Sequence, residues 1–362
     1  MSGTSGSTSG RGFAWRLGAI VFVVLALLAL WQLRDLVLLV FAAILFAIAL
    51  RALSGLVAKV PKIGDGPAFL VAALAVVLAI GLFFSVLGTQ LQAQLVQLAD
   101  RLPELLAPLE NWLGVDDIGD WLMERGDALF SETALMSRIA GISGWVASIV
   151  ANLVLVVVAG FYIGYRPELY AGGFLLLFPR GMRGRAERTL RALEAALGLW
   201  LLGQLAAMVA VGTLTFVGLW ALGIESALAL AFIAAIFEFI PFVGPILAAV
   251  PALAIALSVD MSTALWVLAL YLAIQQLEGN MMSPLIQQRA VAMPPAANMF
   301  ALLAFGILFG PLGLLLATPL AVVCLVVVKQ LWVRDTLGEE VSLPGSDDEA
   351  RVGGREETSG GK

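Results

Sequence analysis

Residues 226–258 read SALALAFIAAIFEFIPFVGPILAAVPALAIALS, and residues 298–329 read NMFALLAFGILFGPLGLLLATPLAVVCLVVVK. Each stretch is just over thirty residues long and almost wholly apolar. A straight helix of that length would reach roughly 48 Å, against a hydrocarbon core of about 30 Å. One span needs about 20 residues, so each stretch is too long for a single crossing and too short for two. Both are interrupted near the middle, at Pro241, Gly244 and Pro245 in the first and at Gly310, Pro311 and Gly313 in the second. Proline removes a backbone donor and clashes with the preceding turn, while glycine permits a reversal. The expected structure of each is two short helices meeting at a break inside the membrane, a re-entrant hairpin. One tilted crossing, or two thin crossings, is the alternative. Such breaks are tolerated only where the freed backbone faces protein or water, which is how transporters build binding sites.

The 362-residue chain is 61% hydrophobic and 13% charged, with a mean hydropathy of +0.98. Long uncharged runs recur and no period-two alternation is visible. The fold class is therefore all-α, a polytopic integral membrane protein with about six full transmembrane helices plus two broken or re-entrant hairpins, about eight membrane segments. Histidine is absent and the single cysteine, Cys324, lies in an apolar run. That removes histidine triads, histidine proton relays, HExxH sites and cysteine metal sites. No GxxxxGK[ST] phosphate loop occurs. Asp35, Asp65 and Asp260 lie at loop edges, so no intramembrane aspartyl pair is expected. The expectation is a protein that is not an enzyme, with no catalytic residues, metal or cofactor, drawing on ion or solute gradients.

In chain order, residues 1–12 form a Gly/Ser/Thr-rich flexible tail and residues 13–88 hold the N-terminal membrane helices, with spans expected near 13–33, 36–57 and 67–88. Residues 89–142 change character: leucines recur at three- and four-residue steps, and nine acidic residues outnumber three arginines. This reads as an extracytoplasmic amphipathic helical region whose leucine stripe is a packing surface rather than a substrate site. Residues 143–334 form the transport core, with spans at about 143–165, 193–223 and 262–283 around the two broken stretches. Residues 335–362 read as a disordered acidic tail.

Lysine and arginine near span ends set orientation. Arg11, Arg16, Lys59, Lys62, the arginines of 166–191, Lys329 and Arg334 all belong on the cytoplasmic side. Counting from a cytoplasmic N-terminus satisfies this, puts 89–142 outside, and leaves the C-terminus cytoplasmic. The two hairpins would then enter from opposite faces, a sign of inverted pseudo-symmetry. The arginines of 180–191 read as an orientation and lipid-headgroup feature; no nucleic-acid partner is expected.

The strings FEFIPFVGPILAAVPALAIAL (237–257) and QQLEGNMMSPLIQQRAVAMPPAANMFALLAFGILFGPLGLLLATPLAVV (275–323) resemble the autoinducer-2 exporter (AI-2E) family. The resemblance rests on Ile240, Pro241, Gly244, Pro245, Gln276, Glu278, Pro284, Pro294, Pro295, Gly310, Gly313 and Pro319, and extends over about residues 13–337. It implies a transporter in the bacterial cytoplasmic membrane, working as a homo-oligomer. Family members are assigned export of the furanosyl signal autoinducer-2 or Na⁺(Li⁺)/H⁺ antiport. The expected function is export of a small polar, autoinducer-2-like solute, possible coupling partners being a cation or a proton. The alternatives are a Na⁺(Li⁺)/H⁺ antiporter using intramembrane glutamates and a non-transporting scaffold.

The candidate substrate- or ion-binding residues are Glu238, Pro241, Gly244, Pro245, Gln275, Gln276, Glu278, Asn280, Gly310 and Gly313. A charge at the bilayer centre costs roughly 2.5–3.5 kcal/mol by insertion scales, so Glu238 should be partnered, water-facing or neutral. It is either a coupling ligand or a carboxyl that caps broken backbone. Gln276 and Asn280 share a helix face, as do Gln275 and Glu278. Their plain reading is an interfacial cluster anchoring a helix end. Pro284, Pro294 and Pro295 read as loop and helix-start geometry.

Overall fold

The computed structural model describes residues 28, 31–59, 64–81, 132–282, 293–334 and 337–338, with 132–147 and 281–282 described in backbone only. The expected first span, most of 89–142, Pro284 and both tails lie largely or wholly outside these residues. The helices are α1 (Arg34–Val57), α2 (Asp65–Gly81), α3 (Glu132–Tyr165), α4 (Pro167–Leu176) and α5 (Arg183–Ala221). They continue with α6 (Ala227–Phe237), α7 (Val243–Leu257), α8 (Met261–Leu277), α9 (Pro295–Leu315) and α10 (Ala317–Val327). π-Helical turns, Glu278–Met282 and Val328–Arg334, extend α8 and α10. No strand occurs among the described residues. This is a polytopic, all-α membrane protein.

Two helices start earlier than hydropathy predicts. α3 begins at Glu132, so helix runs through the boundary placed at 142/143. α5 begins at Arg183, ten residues before the expected span, and carries Arg183, Arg185, Arg188 and Arg191 on its first turns. Hydropathy marks the part of a helix that lies in lipid, whereas Arg, Glu, Leu and Ala are all strong helix formers. Arg191 adds an ion pair to Glu187, one turn back, at 2.5 Å.

Both broken stretches are hairpins. α6 and α7 fold back on each other across residues 238–242. Ala248, Ala252 and Ala256 repeat every fourth residue down α7 and are fully buried, which lets the two backbones approach closely. The second reversal lies at Gly310, inside α9, where φ 68 and ψ −149 are open essentially only to glycine. Beyond it, Gly313 lies against the Phe305 carbonyl and Gly306 against Leu314, so the chain has doubled back before α10 begins. The tips share a rule: a Cβ on Gly244 would collide with the Phe237 carbonyl, and one on Gly313 with the Phe305 carbonyl. Pro294 and Pro295 open α9 as N-cap and first helical residue, as expected.

α5 is the shared support. Its 39 residues reach about 58 Å, and a buried stripe through Ala196, Trp200, Gln204, Ala207, Val211, Thr215 and Leu219 runs down one side. α6 of the first hairpin, α8, α10 and α1 all pack on it. Gly212 lets Ala235 of α6 close in, and Gly218 admits Leu270 of α8. α1 and α3 run parallel, with Gly160 on the Ala43 carbonyl and Gly164 on the Ala47 carbonyl.

The glycines separate two causes of failure. Gly313→Ala must displace the Phe305 carbonyl, whereas Gly310→Ala meets open space and is penalised by its φ alone. Both should lower the thermal midpoint of the detergent-purified protein, Gly313→Ala more, while Gly172→Ala, in open space on α4, should leave it unchanged.

α8 starts on a cap. The Asp260 carboxylate accepts from the Thr263 amide at 2.7 Å and from the Thr263 hydroxyl at 2.7 Å. These bonds, the amide's first, hold Asp260 below its ordinary carboxylate range. A lowered folded value means the cap contributes fully above the unfolded value and fades as pH falls through the folded one. Asp260→Ala should therefore melt earlier than the native chain at neutral pH, and the gap should close on acidification below the carboxylate range.

Candidate functional site

The turn of the first hairpin is built from backbone bonds. Ile240 N–H donates to the Phe237 carbonyl at 2.9 Å, and Gly244 N–H to the Ile240 carbonyl at 2.8 Å. Val243 N–H donates to the Pro241 carbonyl at 2.8 Å, closing a three-residue γ-turn on Phe242, whose φ is 66 and ψ −44. That region is costly for a residue with a side chain, by about 1–3 kcal/mol. Among the described residues Phe242 is the one non-glycine with positive φ, and it sits at the hairpin tip. Pro241 and Pro245 flank this turn, and Gly244 and Pro245 are buried in it.

Glu238 caps α6 immediately before the turn and is 1% exposed. Its Oε2 is buried with no hydrogen-bond partner. Its electrostatic neighbour is Glu278, forty residues on at the end of α8, although no hydrogen bond joins the two carboxyls. Glu278 accepts from Gln275 Nε2 at 3.0 Å. Gln275 and Glu278 are therefore a pair, as the i, i+3 spacing predicts, and they join Glu238. Gln276 accepts from Asn280 Nδ2 at 3.2 Å, but both are exposed and stand apart from the buried carboxyl.

The residue that sequence reading passes over is Gln204. It lies in the buried stripe of α5 and donates its Nε2 to the Glu238 carbonyl at 2.7 Å, with both residues buried. One turn back, Trp200 meets Phe239 edge-on, ring centroids 5.8 Å apart at 75°. The signal was present: Gln204 is a polar residue seven after Leu197 and seven before Val211, in line with apolar residues that are all buried.

Gly310 and Gly313 belong to the other tip. Phe242 and Val243 share a cavity of about 580 Å³ with Gly310, Pro311 and the apolar side chains of Met299, Leu302, Leu303, Ile307 and Leu314. Phe309 and Leu312 also pack with Phe239 against the Trp200 cluster. The two tips thus meet, through Phe242 and Val243 on the first and Gly310 on the second. The carboxyl pair does not line this cavity. The candidates divide into a polar group (Glu238, Glu278, Gln275 and the newly found Gln204) and an apolar crevice between tips. No cluster of metal-ligating side chains occurs among the described residues.

A helical membrane protein with two tip-to-tip hairpins and a buried carboxyl at one break has the build of a transporter. The AI-2E family transporter model matches residues 20–332. The chain belongs to the AI-2E transporter family. Among curated relatives it is 30% identical to "Putative transport protein MT0215" of Mycobacterium tuberculosis, over 85% of this chain and 86% of that protein. It is 30% identical to "Putative transport protein YrrI" of Bacillus subtilis, over 64% of this chain and 66% of that one. It is 29% identical to "AI-2 transport protein TqsA" of Escherichia coli, over 63% and 64%. The matched region thus spans just under two thirds of the length of YrrI and TqsA.

Gln204→Leu keeps the volume and removes the donor, leaving a buried carbonyl unmet at a cost of about 1–3 kcal/mol. The variant should melt lower in detergent, and hydrogen exchange at the amides of 238–244 should accelerate while that of α9 stays unchanged.

Proposed function

We propose that this AI-2E family transporter is a proton-coupled secondary transporter that exports a small polar solute, with Glu238 and Glu278 as the proton-carrying pair. The observation that carries the reading is the buried Glu238 carboxyl at the break of a hairpin, its Oε2 without a hydrogen-bond partner and Glu278 of the adjoining α8 its electrostatic neighbour. With one proton between them the pair is neutral to its partner and the turn stays closed on α8. Loss of that proton sets two like charges side by side in a poorly solvated site, which drives the carboxyls apart. The turn that bears Glu238 also bears Phe242, so opening at the pair moves the wall of the crevice between the tips. Protonation on one face and release on the other would thereby alternate the access of that crevice.

The solute class is the autoinducer-2 type named for TqsA, a relative over 63% of this chain. Polar groups for it lie on the carboxyl side of the turn, at Glu238, Glu278 and Gln275, and not in the apolar crevice. The working form is a homo-oligomer in the bacterial cytoplasmic membrane, with both termini cytoplasmic, as the arginine and lysine distribution demands. A second reading, Na⁺(Li⁺)/H⁺ antiport, draws on the same geometry: two carboxyls beside the carbonyl-rich C-terminal end of α6 suit a small cation.

Proteoliposomes separate these. Efflux of labelled autoinducer-2 should accelerate under an imposed proton gradient, and Glu238→Gln and Glu278→Gln should each abolish that acceleration without lowering the amount reconstituted. Glutamine keeps shape and hydrogen bonding but cannot ionise. Normal gradient dependence in both variants would remove the pair from coupling. Collapse of a proton gradient by Na⁺ or Li⁺ with no organic solute present would establish the antiport reading instead.

A further inference from the structure

Three helix ends converge away from the hairpins. Arg51, Ser54, Gly55 and Ala58 form one face of the end of α1, Asp65, Gly66 and Phe69 begin α2, and Gly164 and Tyr165 end α3. Together they enclose an open cavity of about 340 Å³. Its depth in the membrane follows from α1. That helix opens with Arg34, whose guanidinium lies 4.8 Å from the Trp31 ring centroid and 3.8 Å from Asp35. Arg51 is seventeen residues on, about 25 Å along the axis, close to the thickness of the hydrocarbon core. Arg34 and Arg51 therefore mark opposite boundaries, and the cavity sits at the headgroup level of the second.

The cavity has firm walls. Phe69, Phe161 and Tyr165 pack together, with centroids 5.5 Å apart for Phe69–Phe161 and 6.1 Å for Phe161–Tyr165, the latter stacked. Gly164 lets the Phe69 ring press against α3, where a Cβ would lie 3.1 Å from it. The lining is also two-signed. Arg51 and Asp65 face one space without forming an ion pair with each other. The Ser54 hydroxyl is turned to the Arg51 carbonyl at 2.9 Å, so the charged groups carry the recognition.

A separated cation and anion in one cavity fit a zwitterion that carries both charges a few bonds apart. We propose that this cavity binds a phosphoethanolamine group, as the headgroup of a membrane lipid. The planar guanidinium of Arg51 suits the phosphate, and the Asp65 carboxylate suits an ammonium with N–H donors. The volume, about eleven times the share of one liquid water, accommodates such a group. A phosphocholine offers no N–H to Asp65, and a phosphoglycerol brings a net negative charge to it without a cation.

The test is lipid retention by the full chain, read by native mass spectrometry after exposure to equal amounts of phosphatidylethanolamine, phosphatidylcholine and phosphatidylglycerol with identical acyl chains. Phosphatidylethanolamine should be retained at least about fivefold over the other two. Arg51→Gln and Asp65→Asn should each erase that preference while the elution volume and thermal midpoint stay native. Arg51→Lys, which keeps the charge but loses the fork, guards against a variant that fails to fold and should retain an intermediate preference. A thermal shift with soluble O-phosphoethanolamine and no preferential retention of any of the three lipids would uphold the recognised group and overturn the lipid as its source. Equal retention of all three lipids, or a preference unchanged in both neutral variants, overturns the proposal.

Discussion

A chain that turns back inside hydrocarbon has to hide the amides and carbonyls that its helices stop using. In the first hairpin three local bonds within residues 237–244 consume most of them, and the tightest of these forces Phe242 to positive φ. Gly244 then brings α7 directly onto the Phe237 carbonyl, shutting lipid out. The Glu238 carbonyl is met from outside the hairpin by Gln204. The second hairpin solves the same problem with Gly310 and the close approach of Gly313 to the Phe305 carbonyl. α5 has to be long and has to pass both tips because it supplies the missing donor and the apolar floor, Trp200 with Leu197 and Leu201, on which they rest.

The hairpins were legible because length and punctuation disagree with any continuous span, and proline and glycine have few other uses in mid-membrane. The Gln275–Glu278 and Gln276–Asn280 bonds were legible too, since i, i+3 and i, i+4 contacts are fixed by the helix itself. The meeting of Glu238 with Glu278 was not. It depends on α8 lying beside the hairpin it follows, a packing fact set by Gly218, Leu270 and Tyr271, whose hydroxyl bonds the Ala248 carbonyl at 3.4 Å. The early starts of α3 and α5 escaped for a different reason: hydropathy reports solvent, not hydrogen bonding, and a charged sequence can continue a helix out of the membrane.

Which of the candidates belong together is also a matter of faces. Glu278 and Gln275 are partly buried, while Gln276 and Asn280 on the same helix end are exposed. A helix turns about 100° per residue, so neighbours in sequence point apart and only one side of that polar cluster can reach Glu238. One face of the cluster, Gln275 and Glu278, thus lies toward the protein, and the other, Gln276 and Asn280, is exposed.

The deeper consequence lies in how little chain separates the two halves of the site. Glu238 and Phe242 are four residues apart, yet one faces a carboxyl and the other an apolar crevice. A longer or looser loop would let each side move alone. Here the intervening residues hold backbone bonds at both ends of the turn, and Gly244 is locked against the Phe237 carbonyl, so the turn moves as a unit or not at all. The charge state of the pair and the shape of the crevice are then two readings of one coordinate. Stored strain at Phe242 works in the same direction, because it raises the energy of the closed turn and so narrows the gap that a change in charge has to bridge. If the pair carries protons as proposed, coupling needs no relay across the membrane, only a rigid turn with opposite chemistry on its two sides.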